Sequence, residues 1–246
     1  MNKLTTYIFL ALSIGFATQC KIPEIAVHPD LASHADIYRV KGKQGLMINQ
    51  VVSFGDYTTG KVKRGWTSSY RIPFIVTFQG SKEKIQFDQF SPNGSRSLVY
   101  AVSQLKMNEI NLANSFFSYP IKYENSFVGV IFTETDTTAW WDFVIHNVDA
   151  SWGDRSGGFA KSNDGQFIGI KGVKKFEGQK IKNVDVLGFE FYAQDKVIGA
   201  VSVVNNGRVW MHTDATTNQR NVMAALASSL MIRQNQLESF NSTMSN

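Results

Sequence analysis

Three carboxylates stand beside three indoles in the middle of the chain: Asp142, Asp149 and Asp154 next to Trp140, Trp141 and Trp152. Glycoside hydrolysis needs two carboxyl groups facing each other across a cleft, and an indole offers a large flat apolar face beside them. Trp140 and Trp141 are adjacent, so in a strand one turns inward and the other outward. The outward one is free to act as a binding platform. Trp140, Trp141 and Trp152 are therefore the ligand-binding candidates. The acids between 142 and 154 are the candidates for an exported glycan-active hydrolase. A strand with one face in a core places aromatics and acids side by side in the same way.

Histidine is the other source of chemistry. His28-Pro-Asp30 and His34-Ala-Asp36 form a doubled His-x-Asp pattern, in principle four metal ligands. The surrounding stretch carries two prolines and no clear period, and no Cys or further close His reinforces the set. These residues read as solvated, and neither a metal nor a cofactor is expected. His146 and His212 each lie near a strand end and read as hydrogen-bonded structural residues.

Lys171, Lys174, Lys175, Lys180 and Lys182 surround one acid, Glu177, for a local charge of +4. Such a stretch suits anionic lipid head groups or acidic glycans, and also a solvated loop or edge strand kept soluble by lysines. Gly153-Asp-Arg-Ser-Gly-Gly158 resembles the nucleophile loop of trypsin-like serine proteases. Arg155 is inserted there, which moves the hydroxyl out of register with an oxyanion hole. No histidine sits in that family's context, so the segment reads as a Gly-rich turn. The sequence has no phosphate-binding Gly loop, zincin motif or nucleophile elbow, and no catalytic residue is assigned.

The N-terminus reads as an export signal. Lys3 supplies a short positive region, and residues 7–17 form an apolar run of eleven, too short to span a bilayer comfortably. The run ends at Ala17-Thr18-Gln19-Cys20, and Cys20 is the single cysteine of the chain. This segment resembles a bacterial lipoprotein precursor, although Ala17 and Gln19 depart from the usual lipobox. The resemblance implies cleavage before Cys20 and acylation of it (palmitate-type chains), with anchoring in the cell envelope at its outer membrane. Several acyl chains make such an anchor effectively stable. One cysteine excludes a disulfide framework. The mature balance of +4 is mild and does not suggest nucleic acid as a partner.

Residues 20–35 then read as a lipidated cysteine and tether. From Asp36 to Asp214 the chain is a series of short β-type runs between turn signals. Runs are expected at 36–40, 46–54, 72–78, 85–90, 97–102, 126–132, 139–145, 166–170, 187–192, 197–204 and 208–212. Turns are expected at Ser91-Pro-Asn-Gly94, Asn163-Asp-Gly165, Gln194-Asp195-Lys196 and Asn205-Asn-Gly207. About a dozen strands at this spacing imply an antiparallel sandwich or barrel.

Residues 222–232 break the pattern. They carry no charge, Gly or Pro, and apolar or small residues lie nearly all round a helix drawn through them. Thr216 or Thr217 is placed to cap it and Arg233 to close it. A buried C-terminal helix over 218–235 is predicted. A strand meander ending in such a helix resembles the tubby-like and scramblase-type barrels, which implies a closed antiparallel barrel around the helix. The expected organisation is a signal (1–19), the tether (20–35), one mainly-β domain with its helix (36–237) and a disordered tail (238–246). The expected role is binding or structural, without catalysis. The membrane is the partner through the anchor, and envelope glycans or anionic lipids are the candidate ligands. The alternatives are the glycan hydrolase and a lipid-binding barrel.

Overall fold

Ile85, Phe87 and Gln89 are buried, while Lys84, Gln86 and Asp88 between them are half-exposed. This period of two sends alternate side chains to opposite faces of a strand, and it recurs along the chain. The structure is a computed structural model that describes residues 23–44, 48–65, 83–105, 126–133, 139–146 and 156–233. Among these residues thirteen strands form one antiparallel sheet. They are β1 (Ala35–Lys41), β2 (Ser53–Phe54), β3 (Tyr57–Thr59), β4 (Lys63–Arg64), β5 (Glu83–Phe90), β6 (Arg96–Leu105) and β7 (Ser126–Phe132). β8 (Trp140–His146), β9 (Gly157–Ser162), β10 (Phe167–Val173), β11 (Gly188–Ala193), β12 (Lys196–Ser202) and β13 (Arg208–His212) follow.

Neighbours in sequence are neighbours in the sheet from β5 to β13, and β1 then pairs with β13. The β3–β5 pairing, Thr58 opposite Phe90, closes a ring of twelve strands, and β4 lies on β5 as an extra strand. Closure removes the exposed edges that an open sheet would offer to aggregation. Of the sandwich and the barrel, the chain forms the barrel. Its hairpins use the expected turns: between β11 and β12, Ala193 faces Lys196, and Gln194 and Asp195 both take positive φ (49° and 65°). That is the pattern of a two-residue turn whose twist matches the strands.

The helix occupies the lumen. Residues Thr217–Ile232 are helical, with Thr216 and Gln219 forming a reciprocal capping box, and 222–232 are buried without exception. The helix touches β5, β6 and β12, which lie on different sides of the ring. A Cβ on Gly199 of β12 would come within 2.7 Å of Met223 Sδ, so the wall meets the helix directly. Arg220 ties the helix start to the ring through Asp36 Oδ2 (3.0 Å) and the His212 carbonyl (2.9 Å). Arg64 donates to the Ile232 carbonyl (2.8 Å), placing a cation at the negative end of the helix dipole.

Two expectations need correction. Residues 23–34 are not a free tether. Ile25 bridges to Phe176, Pro29–Ser33 form a short helix α1, and Ile25 and Leu31 are buried against Val197, Ala200 and Trp210 on the outside of the barrel. The apolar residues that gave the stretch no period are the ones it buries; each is worth about 1.5–3 kcal/mol when covered. The lumenal helix is then the second helix, α2. Of the run at 46–54, the described residues 48–54 form β2 alone: Asn49 turns the chain at φ 56°, Gln50 reaches back to the Gly42 and Lys43 carbonyls, and Ile48 stays 82% exposed. The expected strand at 72–78 and the tail at 238–246 lie outside the described residues.

Candidate functional site

Strand alternation separates the two adjacent tryptophans as expected. Trp141 is buried toward the lumen, and Trp140 lies on the outer face with Tyr100, Phe132 and Leu98. Asp142 shares that outer face, with Lys161 opposite it on β9 and Val130 on β7. Burial pushes its carboxyl up to about 6, against a bond from Trp140 that pulls it down. Trp152, Asp149, Asp154 and Cys20 lie outside the described residues. The pairing that glycan hydrolysis needs is therefore seen from one side: the cross-strand partners of Asp142 are Lys161 and Val130, and neither is a carboxylate.

The lysine stretch and the N-terminal segment meet. Ala26 N–H donates to the Lys175 carbonyl (2.8 Å), and Glu177 N–H donates to the Glu24 carbonyl (2.8 Å). Glu24 also pairs with Arg208 at 2.7 Å. Beside this lacing is a hollow of about 400 Å³ whose wall includes Lys171, Lys174, Lys175 and Lys182. Its one acid, Glu190, is engaged by the His28 N–H and the Tyr192 hydroxyl, both at 2.6 Å. Further along the same loop Ile181 is 82% exposed between Lys180 and Lys182. Cationic side chains flanking an exposed aliphatic one suit an interface that is anionic outside and apolar beneath. The lumen is occupied by α2, whose residues 222–232 are all buried against the inward side chains of the strands.

A second cleft of about 720 Å³ opens at the barrel mouth, where Trp141, Gln166, His212, Asp214 and Gln219 surround the start of α2. Sequence reasoning missed what His212 does. The β1–β13 register sets Ala35 opposite His212, and the Thr213 N–H bonds the His34 carbonyl at 2.9 Å. His34 thus lies beside His212, their ring centroids 6.0 Å apart. One turn of α1 earlier, Asp30 comes within 3.0 Å of His34 Nδ1 and 3.4 Å of His212 Nε2. His212 is 3% exposed, its Nδ1 accepts the Asp214 N–H at 3.1 Å, and its Nε2 has no hydrogen-bond partner. The doubled His-x-Asp pattern was the signal; the third member needed the ring closure between the first and last strands. No family model, no curated protein and no solved structure matches the chain, so the function rests on the geometry of these surfaces.

Proposed function

We propose that the protein is an acyl-anchored, non-catalytic binding protein of the bacterial cell envelope whose barrel lies against an anionic membrane surface. One observation carries this reading: residues 24–26 are laced to residues 175–177 of the lysine-rich loop. Glu24 is four residues from Cys20, so a lipidated Cys20 lies within roughly 14 Å of that lacing, at the most extended reach of the chain. Anchor and lysines then face the same bilayer. Each lysine near an anionic surface adds about 1 kcal/mol, and the effect fades within a Debye length of about 8 Å at physiological salt. The lipoprotein-like N-terminus supports the anchor, and the closed ring around α2 supports the likeness to tubby-like and scramblase-type barrels.

The test has two arms. Intact mass of the processed protein should show acyl groups on a chain beginning at Cys20, and Cys20→Ala should leave the membrane fraction. The Cys20→Ala protein should still sediment with phosphatidylglycerol-containing vesicles at low salt. It should lose at least tenfold in affinity on adding Lys174→Glu, Lys175→Glu and Lys182→Glu. A processed chain without acyl mass removes the anchor, and equal binding to neutral vesicles removes the anionic surface.

A further inference from the structure

We propose that Asp30, His34 and His212 form a binding site for a divalent transition metal of the zinc class, which cross-links the N-terminal segment to the end of the last strand. The ligand atoms of the three residues all lie within 4.8 Å of one another. Ligands at about 2.1 Å from a tetrahedral ion are about 3.4 Å apart. Each imidazole faces one oxygen of the Asp30 carboxylate at about that separation, His34 Nδ1 at 3.0 Å from Oδ1 and His212 Nε2 at 3.4 Å from Oδ2.

The unpartnered nitrogen points to a ligand independently of the clustering. His212 Nε2 is buried, and the Asp30 oxygen facing it is too far for a good hydrogen bond. A buried polar atom without a partner is rare in a folded protein. A metal ion between Nε2 and the carboxylate supplies the missing contact.

Nδ1 of His212 accepts the Asp214 N–H, so the neutral ring carries its proton on Nε2. Metal binding at Nε2 requires that proton to leave and Nδ1 to become the protonated nitrogen. The Asp214 carboxylate, 3.8 Å from Nδ1, is the group placed to take the new N–H, in place of the amide contact. This makes Asp214 a positioning residue of the carboxylate–histidine–metal kind. Lys196, at 2.7 Å from Asp214, competes for the same carboxylate. His34 Nδ1 gives up its hydrogen bonds to the Asp30 carbonyl (3.1 Å) and Asp30 Oδ1 (3.0 Å) as its proton moves to Nε2 on a largely exposed ring, and the ion takes the place of the second of them.

Two imidazoles and one carboxylate favour zinc and its neighbours over magnesium or calcium, which prefer oxygen. Asp30 and His34 are partly open to solvent, so a fourth position is left for water. Such an ion joins α1 to β13, and it thereby fixes the segment that leads to Cys20. The inference does not rest on the membrane reading, because its site uses none of the lysines.

Isothermal titration of the full chain, stripped with chelator, with zinc chloride tests it. One zinc per chain with micromolar affinity is expected. His34→Ala and Asp30→Asn should each weaken it at least tenfold, and Asp214→Asn should weaken it several-fold. Zinc should also slow proteolysis within residues 23–34 in the wild type and not in His34→Ala. Magnesium or calcium should not compete. No zinc uptake at 0.1 mM overturns the site, as does uptake indifferent to both His34→Ala and Asp30→Asn. His34 is exposed, so His34→Ala does not depend on a tolerant core.

Discussion

Ser228 on α2 donates from its hydroxyl to Gln89 Oε1 on β5 at 2.6 Å, and neither side chain has measurable exposure. A polar pair in the middle of an apolar lumen is tolerated because both partners are satisfied: the Gln89 amide also donates to the Thr58 and Phe90 carbonyls. Removing one partner costs more than the bond itself. Ser228→Ala should lower stability by about 1–3 kcal/mol. Ser228→Ala with Gln89→Leu should be less destabilised than the sum of the single variants. Chemical denaturation of the four species measures the coupling, and simple additivity would show that the two side chains do not interact.

Lumen packing gives a larger effect. Leu226 and Leu230 lie on one side of α2 and are buried. Each change to Ala should cost about 2–5 kcal/mol, and Leu226→Asp should yield no folded barrel, since a buried charge there has no partner. Gly199→Ala should destabilise too, because its Cβ would strike Met223 Sδ at 2.7 Å and the Trp210 carbonyl at 2.8 Å. Thermal melts decide it. A Leu226→Asp protein melting within a few degrees of wild type would place the helix outside the lumen.

Asp142 sets a pH dependence. Its carboxyl is raised to about 6 by burial, above the usual 3.8. Between those two values the folded state holds a proton that the unfolded state releases. Stability from this group therefore rises as pH falls from about 7 towards 4, by on the order of 2 kcal/mol. Asp142→Asn should be more stable than wild type at pH 7, and the difference should shrink at pH 4. Denaturant midpoints at the two pH values test the sign; a variant less stable at pH 7 would show that the carboxylate makes a favourable contact there.

The N-terminal segment should detach without taking the barrel with it. Leu31 is wholly buried against the outer face of β12 and β13. Leu31→Asp should open residues 23–34 to protease while the main thermal transition stays within a few degrees of wild type. A global loss of folding would instead make α1 part of the cooperative core.

Most strands and the helix were legible because their signals are local, whereas β9 opens on Gly157 and Gly158, which read as part of a turn. Ile85-Gln-Phe-Asp-Gln alternates within one strand, and the uncharged run at 222–232 announces a helix buried on all sides. Thr216 capping follows from its own side chain and that of Gln219. What remained hidden depends on residues distant in sequence. Ile25 and Leu31 look like punctuation in a loop until Trp210 and Val197 are beside them. His212 is one strand-end histidine until the β1–β13 register brings His34 and Asp30 to it. The split of Trp140 and Trp141 was readable, but which face is covered depends on the ring.

Residues 217–232 fill a space bounded by strands synthesised before them, and β1 must wait for β13 to complete the ring. During vectorial synthesis or translocation, the first strand therefore spends the whole transit without its final neighbour. Contacts of this separation make folding slow, on the millisecond-to-second scale. A nascent chain halted before residue 217 holds every strand of the ring and no plug, with inward faces such as Phe127, Phe189 and Phe191 open to other molecules. Chaperone holding until the last helix emerges follows from that order, as does intolerance of C-terminal truncation greater than that of a surface helix of equal length.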